Sequence, residues 1–258
     1  MNIGFVGCGK MGEAIVRGLK GHTLFISRRN QKELQRICDA YGAKAVTNTK
    51  AAACEVVFLC VKPQQYEGVL KEIEPCIQKD ALFVYLAPGF TVPAMIEKTG
   101  GRTANLIHLM PNTPCAVGAG VLAYAVSGSL TEAQEQTFLG LLRPLGELFK
   151  VQEKDMNAVV GISGSSPAYF YMMIDALAMA GVRAGLTRAA AEKMAAQTMK
   201  GCAEMILQSG QHPSELRDAV CSPGGTTIEA VYALEKAGFG GIVMDAAAKC
   251  IEKCSGIG

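Results

Sequence analysis

The chain of 258 residues carries little excess charge of either sign. Its 25 lysines and arginines face 23 acidic residues, a formal net charge of +2, with no basic or acidic block. That weighs against nucleic acid and membrane surfaces as main partners. No run of about 18 residues is apolar enough to suggest a bilayer span; the richest stretch, Ala168 to Gly181, is short and contains Asp175. The opening Met1-Asn2-Ile3-Gly4-Phe5 lacks the basic-then-apolar pattern of an export signal. Histidine is scarce, with only His22, His108 and His212, and none of the ten cysteines stands in a Cys-x-x-Cys pair. Neither a metal site nor a disulfide framework is therefore expected. The cysteines read as buried, reduced thiols of a cytoplasmic protein.

What the chain does have is hydrophobic residues, half of its length, enough for a sizeable core in one large domain or two modest ones. The first part alternates short β runs with helical stretches. The pattern predicts strands at Asn2–Val6, Thr23–Ser27, Val56–Val61, Ala81–Leu86, Asn105–Leu109 and Val121–Val126. Between them it predicts helices at Lys10–Lys20, Gln31–Tyr41, from about Gln64, and at Thr91–Thr99. Thr131-x-x-Gln134 reads as a capping box opening a helix to about Leu142. Continuous apolar strands between helices indicate an α/β fold, a doubly wound parallel sheet covered on both faces.

After about Val151 the strand signals stop. Ser166-Pro167 reads as N-cap plus first-turn proline for a helix over Ala168–Ala184, which Gly185 ends. Thr187 opens a helix to about Gln208; others are predicted near Pro213–Val220, up to Lys236, and over Ile242–Lys253. The boundaries are thus 1–151 for an α/β domain and 152–258 for an all-helical one. Phe170, Met172, Met173, Ile174, Leu177 and Met179 wrap most of one helix. A helix apolar nearly all round is a buried one, so either a partner subunit covers it, which we favour, or the first domain does.

Gly7-Cys8-Gly9-Lys10-Met11-Gly12 is Gly-x-Gly-x-x-Gly, directly after the first strand and opening the first helix. This is the context of a Rossmann-type dinucleotide loop, although a plain β–α turn is the bland alternative. The first glycine permits the turn, the second admits a pyrophosphate to the helix N-terminus, and the third allows close packing. An NAD site usually carries a carboxylate about 20 residues on. Here the chain reads Ile26-Ser27-Arg28-Arg29-Asn30, without one. A hydroxyl and two guanidinium groups suit a 2′-phosphate, so NADP(H) is preferred over NAD(H). Val61-Lys62-Pro63 and Ala87-Pro88-Gly89 follow later strands and lie on the same rim; Lys62 either faces the cofactor or is solvated.

A second candidate is Cys221-Ser222-Pro223-Gly224-Gly225-Thr226-Thr227. Thr226 and Glu229 read as a capping box, and glycines before a cap would expose backbone N–H groups to a carboxylate or phosphate. Thr227 adds a hydroxyl beside that anion. An ordinary loop and cap is the alternative. No lysine occurs between Lys154 and Lys193, and no His–acid pair suggests itself. His22 is expected at the surface, His108 in the core and His212 as a helix cap. A reduction needing no strong acid fits best, and a protonated imine is such a substrate.

The residues Gly7–Gly12, Val61-Lys62-Pro63, Met110-Pro111-Asn112-Thr113-Pro114, Gly164-Ser165-Ser166-Pro167-Ala168-Tyr169 and, most specifically, Asp218–Thr227 with Leu234-Glu235 resemble the pyrroline-5-carboxylate reductase family over essentially the whole chain. The resemblance implies reduction of a cyclic imino acid, L-1-pyrroline-5-carboxylate, to L-proline with NADPH, less often NADH. It implies substrate contacts at Ser222, Gly224, Gly225, Thr226 and Thr227, with Thr227 at the imine nitrogen. It also implies cofactor contacts along Gly7 to Gly12 (Cys8, Gly9, Lys10 and Met11 included) and at Ser27, Arg28, Arg29, Asn48, Val61, Lys62, Pro63 and Ala87. Homodimers through the C-terminal helices, often stacked into decamers, are implied as well. Pro88, where the family commonly has a small residue, is a departure. Other readings are a reductase of a related ring imine and a cofactor-binding regulator without chemistry; the intact Ser-Pro-Gly-Gly-Thr-Thr stretch speaks against the latter.

Overall fold

A computed structural model describes residues 1–256. The chain forms two compact units, one of residues 1–165 with the segment from Cys250 onward, the other Ser166–Lys249. In the first, the strands are β1 (Asn2–Val6), β2 (Thr23–Ile26), β3 (Lys44–Ala45), β4 (Val56–Leu59), β5 (Leu82–Tyr85), β6 (Leu106–Pro111), β7 (Gly120–Val126) and β8 (Gly146–Lys150). Its main helices are α1 (Lys10–Gly18), α2 (Gln31–Tyr41), α3 (Asn48–Ala52), α4 (Tyr66–Ile73), α5 (Val92–Lys98), α6 (Glu132–Leu142) and α7 (Met156–Val159). The sheet order is β3-β2-β1-β4-β5-β6-β7-β8. All neighbours run parallel except β6 and β7. This is the doubly wound arrangement the strand–helix alternation predicts.

Side chains alternate between the two faces of a strand, and the core divides accordingly. Ile3, Phe5, Val56, Phe58, Leu82, Val84, Ile107 and Leu109 pack on one face with Ile15, Ile37 and Phe138. Val57, Leu59, Phe83, Tyr85 and Leu106 pack on the other with Leu70, Ile73 and Met95. Because both faces are buried, β4, β5 and β6 are buried at every position, which explains their unbroken apolar runs. Phe5 and Phe58 stack with ring centroids 4.9 Å apart.

The capping box at Thr131 and Gln134 forms as expected, with both reciprocal bonds present. β3 and β8 had no expectation behind them. β3 has two exposed residues and β8 lies at the sheet edge with alternate positions half-buried, so neither carries the apolar run that marks a central strand. Ser166 is not an N-cap. A π turn over Val160–Gly164 leads into helical Ser165 (φ −99°, ψ −23°), so the chain is already coiling when it reaches Ser166.

The second unit holds α8 (Ser166–Arg183), α9 (Arg188–Ser209), α10 (Pro213–Ala219), α11 (Thr226–Lys236) and most of α12 (Phe239–Ser255). Thr187 caps α9 through Ala190 N–H, and His212 caps α10 by accepting from Ser214 N–H. The α8–α9 seam is built of small residues: Ala178, Ala191 and Ala195 are buried. A Cβ on Gly181 would stand 2.7 Å from Ala191 Cβ, so the helices approach too closely there for any side chain. The large apolar residues lie outside this seam. Phe170, Tyr171, Met172, Leu177 and Met179 on α8, Tyr232 and Leu234 on α11, and Ile242 and Met244 on α12 are all more than half exposed in the single chain.

In the first unit, Gly4 is the tightest point of the sheet. A Cβ there would meet the backbone oxygen of Ala51 at 1.8 Å, with α3 lying across β1. Gly4→Ala is expected to destabilise the protein by about 3 kcal/mol, because backbone rather than a flexible side chain must yield. Urea unfolding checks this, and a loss below about 0.5 kcal/mol would contradict it.

Candidate active site

Four parallel strands direct their carboxyl ends to one edge of the sheet, where ligands bind in such folds. β1 ends in Gly7, whose φ of +75° suits glycine. A Cβ there would also strike Val61 Cγ1 at 2.1 Å, so Val61, beyond β4, shapes the loop by filling the space beside it. Gly12 sits between two sulfurs, Cys8 Sγ and Cys60 Sγ, 3.0 and 3.2 Å from where its Cβ would be. Burial pushes the Cys8 thiol up to about 12 and Cys60 well above its ordinary value. Both are neutral packing groups under the loop.

Gly9 differs from these two. It is the extended N-cap residue of α1 (φ −94°, ψ −159°), and no side chain caps this end. The first intrahelical bond runs from Glu13 N–H to Gly9 O at 2.9 Å. The N–H groups of Lys10, Met11 and Gly12 are therefore without intrahelical partners. A Cβ on Gly9 would find no atom within 4 Å, so nothing inside the protein requires glycine here. A bare helix N-terminus with open space before it fits a dinucleotide pyrophosphate. The Glu13 carboxylate in the first turn is engaged by Arg36 through paired bonds of 2.7 and 2.9 Å, and Arg36 holds its pKa below the usual carboxylate range.

At the end of β2, the Arg28 guanidinium donates from Nη1 to Cys8 O at 3.0 Å, bracing the glycine loop, while Arg29 is exposed. Ser27 is 2% exposed. Its hydroxyl accepts from Gly7 N–H at 3.2 Å and donates to Asn48 Oδ1 at 2.7 Å. Gly7, Ser27 and Asn48 thus form one bonded group, and Arg28 joins the same loop through Cys8 O. Lys62 is exposed, Pro63 opens a 3-10 turn, and Ala87 is buried just beyond β5. His108 lies in the core, stacked on Tyr85 at 4.6 Å, and its Nδ1 meets Glu153 Oε1 at 2.8 Å. This pair borders a cavity of about 470 Å³ with Gly89, Phe90, Thr91 and Asn157. Glu153, in a turn after β8, carried no sequence signal. Among the described residues, no cluster of His, Cys, Asp and Glu could hold a metal ion, and no helix is long and apolar enough to cross a membrane.

The helical unit holds the other candidate. Ser222-Pro223-Gly224-Gly225 is a β-turn, closed by Gly225 N–H donating to Ser222 O at 3.0 Å, with Gly224 at φ +68°. Proline second and a positive-φ glycine third are what a type II turn demands. A Cβ on Gly225 would lie 2.3 Å from Ser222 Oγ, the end of a side chain that can rotate, and 3.1 Å from Ser222 O, so glycine here eases the turn but is not demanded by it. The expected capping box does not form. Gly225 is the N-cap (φ −79°, ψ 172°), Thr226 is already the first helical residue, and no side chain caps α11. The turn delivers the chain in extended form one residue before Thr226, which displaces the threonine from the cap. The N–H groups of Thr226, Thr227 and Ile228 are consequently free of intrahelical partners. Nearby, Arg217 pairs with its neighbour Asp218 on α10 at 2.8 Å and reaches Glu235 on α11 at 3.8 Å.

Comparison with known proteins is decisive. A relative from Escherichia coli K12 named pyrroline-5-carboxylate reductase is 40% identical over 259 aligned positions, covering 97% of this chain and 96% of its own. The chain belongs to the pyrroline-5-carboxylate reductase family. The family's dimerisation model matches residues 153–257, and a model described as NADP oxidoreductase, coenzyme F420-dependent, matches residues 2–89. A reductase of the same name from Pisum sativum is 38% identical over 95% of this chain and 91% of its own. The crystal structure of Plasmodium falciparum pyrroline carboxylate reductase with NADP bound superposes with a TM-score of 0.91 at 30% identity, covering 100% of this chain and 98% of that one. The apolar faces left open on α8, α11 and α12 lie within the stretch that matches the reductase dimerisation domain.

Gly9→Ala separates binding from folding. With no atom within 4 Å of the new Cβ, the melting temperature should stay within about 1 °C. NADPH affinity should fall on the order of tenfold or more, about 1.4 kcal/mol. Calorimetric titration checks this; undiminished affinity would show that the loop does not approach the pyrophosphate.

Proposed function

We infer that this chain reduces the cyclic imine L-1-pyrroline-5-carboxylate to L-proline with NADPH. The observation that carries the inference is the full-length match to reductases of that name, on a chain whose α1 and α11 both start with uncapped N–H groups. When bound, NADPH supplies a hydride. The chain's own residues bind and orient. The N–H groups at Gly9–Gly12 hold the pyrophosphate, and Arg28 and Arg29 provide charge for a 2′-phosphate. Ser27 and Asn48 set the loop, Val61, Lys62 and Pro63 flank it, and Ala87 adjoins the nicotinamide.

The substrate carboxylate sits on the N–H groups of Thr226, Thr227 and Ile228, with Ser222, Gly224 and Gly225 forming the turn that leaves them open. A helix N-terminus favours the anion by charge as well as by hydrogen bonds. The Thr227 hydroxyl accepts a hydrogen bond from the protonated ring nitrogen and fixes the ring's orientation. The imine already carries the proton its product amine retains, so the hydride step itself needs no strong acid. We assign cofactor binding to residues 1–151, and dimerisation with substrate binding to residues 152–258, in a cytoplasmic homodimer.

Thr227→Ala should lower kcat on the order of a hundredfold, the scale of one lost positioning group, and leave the Kd for NADPH unchanged. Steady-state kinetics with a parallel cofactor titration checks this, and unchanged kcat would remove Thr227 from the reaction. Sedimentation equilibrium should give a dimer or a multiple of it, because large apolar faces on a lone subunit are unfavourable. A monomer at micromolar concentration would contradict the assembly.

A further inference from the structure

The chain has no carboxylate at the end of β2, where NAD sites usually carry one to read the ribose 2′-hydroxyl. The fold brings one from elsewhere. Glu72, exposed on α4, accepts a hydrogen bond from Asn48 Nδ2 at 2.8 Å. Asn48 Oδ1 accepts from Ser27 Oγ at 2.7 Å, and Ser27 Oγ accepts from Gly7 N–H at 3.2 Å. A continuous row of bonds thus links Glu72 to the glycine loop.

The direction of every bond in that row follows from Glu72. A carboxylate only accepts, so the Asn48 amino group must face it and the Asn48 oxygen must face Ser27. Ser27 has one proton, and Asn48 at 2.7 Å is a nearer acceptor than Phe5 O at 3.2 Å. With that proton committed, Ser27 has nothing to donate to a phosphate oxygen, which needs donors. Ser27 is itself 2% exposed, so what this row presents outward is its other end, the exposed Glu72 carboxylate, an acceptor that suits a ribose hydroxyl rather than a phosphate. Glu72 also sets a negative charge at this end of the row, opposed to the one a 2′-phosphate carries, while Arg28 and Arg29 act in favour of that phosphate.

We propose that Glu72 is a positioning residue for cofactor choice: through Asn48 it commits the Ser27 proton away from a 2′-phosphate, and its charge restrains the preference for that phosphate and keeps NADH usable beside NADPH. The proposal rests on reading Gly7–Gly12 as the dinucleotide loop. It deepens that reading by assigning the counterweight to the two arginines.

The test is direct binding of NADPH and NADH to the intact protein, followed by cofactor fluorescence, for wild type, Glu72→Gln and Glu72→Lys. Glu72 is exposed on its helix, so the variants should fold. The ratio of the NADH Kd to the NADPH Kd should rise about fivefold in Glu72→Gln, the size expected of one solvent-exposed charge interaction, and further in Glu72→Lys. A ratio unchanged across the three proteins would overturn the proposal. Equal weakening of both cofactors would also overturn it, since a simple brace for the loop gives that result. If the wild type binds neither cofactor, the dinucleotide reading fails and the proposal fails with it.

Discussion

The N–H groups in the first turn of a helix need acceptors that the helix cannot supply. At α1 and at α11 this chain provides no side chain to fill the need. By contrast α2, α5, α6 and α9 each receive a side-chain cap, from Asn30, Thr91, Thr131 and Thr187. Helices α4 and α7 also lack a side-chain cap, but each continues directly from a 3-10 turn; α1 and α11 start from extended residues, on the chain's two most motif-like stretches. An anion at each is the acceptor the backbone lacks. Both proposed ligands carry one, a pyrophosphate and a carboxylate.

The glycines around these ends serve different needs. Gly7 and Gly224 have positive φ. Gly7, Gly12 and Gly225 also leave room for Val61, for two cysteine sulfurs and for Ser222 Oγ. At Gly7, Gly12 and Gly224 these are demands of the fold. Of the three glycines in Gly7–Gly12, Gly9 alone faces open space, and nothing inside the protein requires glycine there. Of the paired glycines of the second loop, which the sequence suggested were there for an anion, Gly224 has its reason inside the turn. What the turn delivers is the uncapped helix that follows.

Much of this was legible in the sequence, because the informative signals were local. The strand–glycine–helix order placed the Gly7–Gly12 turn between β1 and α1, and apolar runs placed β1, β2, β4, β5, β6 and β7. His212 and Thr187 announced their caps. Edge strand β8 escaped because an edge needs no apolar run, and Thr226 was misplaced by one position because the turn before it sets the phase of the helix. Glu72 and Glu153 were invisible for another reason. Each meets its partner, Asn48 or His108, across 24 or 45 residues of chain, and no spacing rule connects an exposed helix acid to a distant amide. The exposed methionines and aromatics of α8 were legible as a surface in need of cover, and they fall within the family's dimerisation domain.

The account's central claim is a single chemical conversion, so the most direct measurement supplies purified protein with NADPH and L-1-pyrroline-5-carboxylate and follows both absorbance loss and amino-acid product. The account predicts one L-proline formed for each NADPH oxidised. NADPH bound by the assembled protein but left unoxidised, with no proline formed, would contradict it.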